Sequence, residues 1–515
     1  MRITPSEPGW LSEAVRERID AFARDNLVER IWAKDHTVWR PDPTEISDRL
    51  GWLTVHEQMR AELDDLRSFA RRCAADGYRT AVLAGMGGSS LAPEVFRGVF
   101  GIGPDGLDLI VLDTTHPDQI LEVERSLDLD RTLFVISSKS GTTIETRSHF
   151  AHFWEQYPKG ASYVAITDPG TPLEDLGNEH GFRRVFRNPS DIGGRYSALS
   201  YFGLVPAALV GADLGKLVES AAAAAAACRD EADDNPGVRL GAAIGEAALA
   251  GRDKLTFVLP PEIALLGTWL EQLIAESTGK EGKGVVPVEG AALGPPGVYG
   301  DDRVFASSGD SGGPILEWLG RAGHPIERID PAGRGDVGGA MFLWEFATAV
   351  AGAVLDINPF DQPDVQSAKD ATKKVLASGS LPQVDAQPLE EVLQAGPPSY
   401  LGIQAYLPRS EETTARLTSL REKIRDVRRI AATVGFGPRF LHSTGQLHKG
   451  GPPTGRFVQI VEPPASDVSI PGESFTFGQL LAAQAAGDLQ ALRSRGRPVA
   501  RATLAELEDA ASRLR

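Results

Sequence analysis

Short apolar runs alternating with helical stretches limit what this chain can fold into more than any other feature of its sequence. Four such runs, Thr80–Ala84, Leu107–Leu112, Leu133–Ser137 and Tyr163–Thr167, are each followed by residues of helical periodicity. Buried strands spaced in this way are joined to parallel neighbours by crossover helices, so a doubly wound parallel sheet is expected. Such sheets bind ligands at the C-terminal ends of their strands. The third run leads into Ser137-Ser138-Lys139-Ser140-Gly141-Thr142-Thr143, and then into a helix that carries Glu145 and continues through Phe150. Hydroxyls, a lysine and the unpaired N–H groups of a helix start converge there. That is an anion cradle, and phosphate is the usual anion. An ordinary serine-rich loop with a capping hydroxyl would carry the same residue types.

A second series opens with a strand at Leu255–Leu259, followed by a long helix over 263–278, a strand near 326–329 and helices at about 339–355 and 362–376. Residues 377–398 read as a linker or excursion. A third unit has a strand at Tyr400–Tyr406, a helix over 410–433 and strands near 438–441 and 456–461. Two final helices begin with the capping pairs Thr476-x-x-Gln479 and Thr503-x-x-Glu506. The chain's 515 residues exceed what one core holds. The expected division is a helical arm (1–49), two α/β domains (50–236 and 237–398) and a C-terminal α/β and helical extension (399–515).

Composition excludes several classes of function. The net charge of −17, with no basic stripe to offset it, argues against nucleic acid as a partner. Cys73 and Cys228 both fall in helical patterns, so neither a disulfide framework nor a thiolate metal site is expected. The N-terminus has no apolar leader pattern and no apolar run is long enough to span a membrane. A cytoplasmic protein without a membrane partner is the expectation.

Other stretches carry candidate chemistry. Ala84-Gly-Met-Gly-Gly-Ser-Ser90 lets backbone approach a ligand after the first strand, through Gly88 and Ser89, but lacks the spacing of a nucleotide-binding loop. In Asp191-Ile-Gly-Gly-Arg-Tyr-Ser197 the guanidinium of Arg195, after Gly194, could clamp a developing oxyanion; a solvated surface arginine would look the same. The helix around 263–278 is apolar except for a stripe of Thr268, Gln272 and Glu276. A carboxylate on that stripe should have a raised pKa and could act as a general base; alternatively the stripe is the one wet face of the helix. Pro363 suits a first helical turn and puts Gln362 and Lys369 on one face, where a solvated lysine is the default. Seven of the nine histidines have no companion signal. His442 and His448 differ, lying with Lys449 in a glycine-rich loop that suits acid–base work better than metal binding.

Taken together, GMGGSS, SSKSGTTIET, GGRYSALS, QLIAESTGK and NPFDQPDVQSAK resemble the glucose-6-phosphate isomerase family, in order, over about residues 50–376. The C-terminal third, with LHSTGQLHKGGP, is similar to the variant usually fused to transaldolase in bacterial bifunctional proteins. The resemblance implies two sugar-isomerase (SIS) α/β domains, a homodimer, a sugar-phosphate substrate and aldose–ketose isomerisation without cofactor or metal. It implies that Ser138, Ser140 and Thr143, with Lys139 nearby and Ser89 adjoining, hold the 6-phosphate. Glu276 would move a proton between C2 and C1 through a cis-enediol, and Arg195 with Gly194 would stabilise the enediolate. Gln272, Gln362 and Glu145 would line the sugar, and Lys369 would assist ring opening.

One departure concerns the ring-opening histidine, which the family carries soon after its base. No histidine lies between Glu276 and His324. His442, whose His-x3-Gln spacing resembles the family's histidine segment, is the first substitute, His448 the second and the Asp301/Asp302 pair the third. Thr278, just after the base, keeps open a dual phosphoglucose/phosphomannose isomerase. SIS domains that sense sugar phosphates without catalysis are a further alternative.

Overall fold

The computed structural model describes residues 1–330, 333–378 and 386–514, so part of the expected linker, residues 379–385, lies outside the described residues. The chain opens on β1 (Arg2–Ser6), so the N-terminal arm is not helical throughout; its helix follows at Gly9–Arg24. β1 pairs antiparallel with the edge of a sheet formed much later in the chain. Five strands then build the first sheet: β2 (Thr80–Ala84), β3 (Asp108–Leu112), β4 (Thr132–Ser137), β5 (Tyr163–Thr167) and β6 (Arg184–Arg187). All are parallel, in the order β3-β2-β4-β5-β6. The expected apolar runs are the first four of these strands. β6 is an edge strand whose two outer arginines hide it from a search for apolar runs.

The second sheet holds β7 (Lys254–Val258), β8 (Val286–Val288), β9 (Arg303–Ser308) and β10 (Ile326–Asp330), in the order β1-β10-β9-β7-β8. β9 begins on Arg303, which is fully buried beside Asp302 and over the Tyr299 ring, an arrangement that hydropathy alone does not suggest. The third sheet is parallel, in the order β12-β11-β13-β14, and comprises β11 (Tyr400–Tyr406), β12 (Ala431–Phe436), β13 (Gly455–Val461) and β14 (Val499–Ala502). The helix expected over 410–433 ends at Arg428, because Arg429 turns left-handed (φ 59°) and sends the chain into β12. The strand expected near 438–441 is a 3-10 turn, Arg439–His442. Here Ala431-Ala432 continued the helical pattern on paper, while Thr433 and Val434 favour extended backbone. Both terminal capping pairs form as reciprocal boxes.

The largest core wraps the helix Val337–Leu355, which is flanked by Leu214–Ala227 and Pro236–Leu249. Its helical stretch Arg334–Leu355 is long and apolar enough to cross a membrane by composition, yet 94% of its most apolar window is buried inside the protein. Close approach of its neighbour needs Gly241, where a Cβ would lie 2.5 Å from the Ala347 carbonyl oxygen and 2.6 Å from Val350 Cβ. Gly241→Val should therefore force the two helices apart and cost about 1–3 kcal/mol. The expected readout is a lowered Tm with unchanged ligand affinity at low temperature.

Candidate active site

In the first sheet the chain runs from β2 outward to β3 and then returns to the other side of β2 as β4, so a crevice opens beyond the ends of β2 and β4. The turns after these two strands form its floor. They are joined where Ser137 Oγ donates to the Ser89 carbonyl at 3.1 Å. In the second turn Ser138 Oγ and Thr143 Oγ1 lie 3.0 Å apart, Ser140 Oγ and Thr142 Oγ1 2.9 Å, and Gly141 N donates to Ser138 Oγ at 3.2 Å. The helix Ile144–Gln156 starts directly behind them, so hydroxyls and first-turn N–H groups are gathered at one point. Lys139 turns aside. Its ammonium is salt-bridged to Asp168 beyond β5 and lies 3.3 Å from the Ser190 carbonyl.

Glycines bring a third turn against the floor. A Cβ on Gly88 would collide with the Gly194 carbonyl, so only a bare backbone allows the two turns to touch. This contact delivers Arg195, which is 3% exposed and not a solvated surface arginine. Its Nε donates to Ser277 Oγ at 2.8 Å, and its Nη2 donates to the carbonyls of Pro359 (2.7 Å) and Asp361 (2.9 Å). Nη1 lies 3.4 Å from Gln362 Oε1 and 3.7 Å from Glu276 Oε2. The helix Leu266–Thr278 carries Glu276, and Gln272 Nε2, one turn earlier, donates both to Glu276 Oε2 (3.0 Å) and to the His442 carbonyl (2.8 Å). Glu271, the helix's other carboxylate, lines a separate cleft with Glu289 and Arg421; burial and then the Glu289 charge push it up to about 8. The company of Arg195 singles out Glu276.

His442 reaches the site from the third sheet. Its Nε2 is 2.9 Å from Glu145 Oε1, which also accepts from Gln484 Nε2 at 2.7 Å. Burial pushes the Glu145 carboxyl up, but the charge and hydrogen bond of His442, with Lys369 beyond, outweigh it and hold it below the ordinary carboxylate range. An ionised carboxylate only accepts, so in this pair His442 Nε2 is the donor. A cleft of about 210 Å³ lies over this pair, lined by Ser140, Thr142, Thr143, Lys369, Lys373 and His442 among others. Lys369 and Lys373 stand one turn apart on the helix Pro363–Ser378.

The other ring-opening candidates lie elsewhere. His448 is buried against Phe457, and burial together with the Lys449 charge keeps its imidazole well below the ordinary histidine range. Asp302 is buried beside Lys254 and Arg303. Thr278, the residue on which a mannose-phosphate activity would rest, has its hydroxyl committed: it donates to the Ile274 carbonyl at 2.8 Å and accepts from Val285 N at 2.9 Å.

Four residues of the site escape a reading of the sequence. Ser277 bridges Arg195 to the helix that carries Glu276; Gln484, Lys373 and Lys280 bear on Glu145, the cleft and residues 358–361 respectively. Ser277 and Lys280 lay within a recognisable motif, QLIAESTGK, without being marked by it. Gln484 sits in an alanine-rich helix with nothing in its neighbours to mark it.

Known proteins resemble this one along most of its length. The family described as phosphoglucose isomerase matches residues 45–288, a span that takes in the hydroxyl loop, Arg195 and Glu276 and stops before Lys369 and His442. Glucose-6-phosphate isomerase of Rubrobacter xylanophilus is 28% identical over 64% of this chain and 89% of its own length. That of Symbiobacterium thermophilum is 30% identical over 62% of this chain and 85% of its own. A hypothetical protein of Thermus thermophilus superimposes with a TM-score of 0.62 at 25% identity, over 73% of this chain and all of that one. A glucose-6-phosphate isomerase of Chlamydia trachomatis shares the fold, with a TM-score of 0.60 at 19% identity over 71% of this chain and 86% of that one.

The contact between Gly88 and Gly194 is directly testable. Gly88→Ala should displace the Arg195 turn from the hydroxyl loop. A shift of about 1 Å at a reacting centre costs on the order of 10²-fold, so catalytic efficiency should fall by about that factor in a protein that still folds.

Proposed function

The chain belongs to the phosphoglucose isomerase family, and we propose that it interconverts D-glucose 6-phosphate and D-fructose 6-phosphate, an aldose–ketose isomerisation of glycolysis and gluconeogenesis. The observation that carries this reading is the buried trio of Glu276, Arg195 and Gln272, linked through the Gln272–His442 hydrogen bond to the segment that lines the cleft beside the hydroxyl-rich cradle. A sugar phosphate held at one end, with a base and a cation at the other, needs that arrangement.

In this reading Ser138, Ser140 and Thr143 bind the phosphate, with Ser89 and Gly88 adjoining. Lys139, the loop's own lysine, is ion-paired with Asp168 beside the phosphate, while Lys373 offers a cation on the cleft wall. Ring opening moves the O1 hydroxyl proton off and a proton onto the ring oxygen as the C1–O5 bond breaks and C1 becomes a carbonyl. His442, oriented by Glu145, exchanges these protons with help from Lys369. The Glu276 carboxylate then takes the proton from C2; the freed electron pair forms the C1–C2 double bond and the negative charge moves onto O1. Arg195, fixed by the carbonyls of residues 359 and 361 and with Gly194 beside it, stabilises that enediolate. The O2 hydroxyl passes its proton to O1, and the O2 electron pair then forms the C2 carbonyl as the C1–C2 double bond takes the proton back from Glu276 at C1. Gln272 aims the base, and Gln362 and Glu145 line the sugar.

The committed hydroxyl of Thr278 gives a phosphomannose activity no support, and a non-catalytic sensor would have no use for the buried Glu276–Arg195 pair. We further propose a cytoplasmic homodimer built on the division 1–49, 50–236, 237–398 and 399–515. The acidic surface and two free buried cysteines suit that compartment, and light scattering would report the subunit number.

Two substitutions test the roles. Glu276→Gln should lower kcat by about 10²–10⁴-fold in a coupled assay while sugar-phosphate binding persists; unchanged turnover would remove the base assignment. His442→Ala should slow conversion of the cyclic substrate yet leave exchange of the C2 proton in the open-chain sugar, measured in deuterated water, close to wild type. A normal rate on the cyclic form would show that another group opens the ring.

A further inference from the structure

Beside Arg195 lies a second buried cation to which the reaction scheme gives no role. Lys280 follows the Gly279 stop of the base-bearing helix and is 1% exposed. Its Nζ donates to the Asn358 carbonyl at 2.6 Å, to the Asp361 carbonyl at 2.7 Å and to Asp361 Oδ1 at 2.6 Å. Arg195 Nη2 donates to the carbonyls of Pro359 and Asp361. Two cations from different elements therefore grip one turn, residues 358–361, and share the Asp361 carbonyl.

That turn leads without interruption into Gln362, which touches Arg195, and into the helix that carries Lys369. A surface lysine would stabilise a turn at far lower desolvation cost. Burying a second positive charge next to the first is worthwhile only if the position of the turn relative to Arg195 and Glu276 matters.

We propose that Lys280 is a positioning residue for the isomerisation: by clamping residues 358–361 it sets Gln362 and the helix bearing Lys369 against substrate held by Arg195 and Glu276. This rests on the isomerase reading above. The charged groups that bear on Lys280 are Arg195, Asp361 and Glu276. Burial, then the Arg195 charge, hold its ammonium down to about 8, with Asp361 and Glu276 opposing them. As pH rises through that value Lys280 loses its charge and its ion pair to Asp361, so the grip on the turn weakens. The alkaline limb of the pH profile is the signature.

The test measures kcat and KM against pH, from neutral to alkaline, for the wild type, Lys280→Met and Lys280→Arg, with folding checked by circular dichroism. The wild type should lose kcat above about pH 8. Lys280→Arg, which stays charged, should keep measurable activity without that loss. Lys280→Met should show kcat lower by about 10–10²-fold with little change in KM, since the phosphate handle is untouched. A folded Lys280→Met enzyme with wild-type kcat and profile overturns the proposal. If Lys280→Met fails to fold, Lys280→Arg decides: the same alkaline loss as the wild type overturns it, and its absence supports it. A wild-type protein that converts no glucose 6-phosphate would instead overturn the isomerase reading.

Discussion

A guanidinium taken out of water must find its partners inside the protein, and the site is arranged around meeting that demand for Arg195. A buried charge left unpaired costs several kcal/mol. Arg195 therefore draws in Ser277 from one helix, two carbonyls from residues 359 and 361, and the nearby carboxylate of Glu276. These partners come from two separate parts of the chain, and Arg195 itself from a third. Satisfying one side chain thus brings the hydroxyl-loop domain, the base-bearing helix and the lysine-bearing helix to a common point.

A second network docks the third sheet onto this centre. Gln446, wholly buried, donates to the Gly279 carbonyl (3.0 Å) and to Asp364 Oδ2 (2.8 Å), and accepts from Asp364 N at 2.9 Å. One amide therefore ties the end of the base-bearing helix to the start of the lysine-bearing one. Lys449 and Asp488 form a buried ion pair nearby at 2.6 Å. These contacts hold the short segment in which His442 faces Glu145. The same segment presents its backbone carbonyl to Gln272, so the His442 segment and Glu276 share one hydrogen-bonding side chain.

The first four strands of the first sheet, the base-bearing helix and the two capping boxes were legible because apolar runs, a polar stripe and a capping pair are local patterns. The edges were not. β6 and β9 carry arginines whose burial or exposure depends on distant partners, and β1 is a strand only because β10 offers it an edge. In the site, residue types could be read but their partners could not. Lys139 looks like an anion ligand until Asp168 claims it, and Arg195 looks like a surface residue until residues 359 and 361 enclose it. Lys280 stood in plain sight within its motif, yet nothing local revealed the three oxygens waiting in a turn about eighty positions later.

The pairing of His442 with Glu145 spans 297 positions of chain. During synthesis the cradle, the arginine and the base all leave the ribosome well before residue 442, and domains fold largely in the order they emerge. The hydroxyl loop, Arg195 and Glu276 therefore precede in synthesis the segment that sets His442 against Glu145, and that pairing forms only once the third sheet has docked on the first.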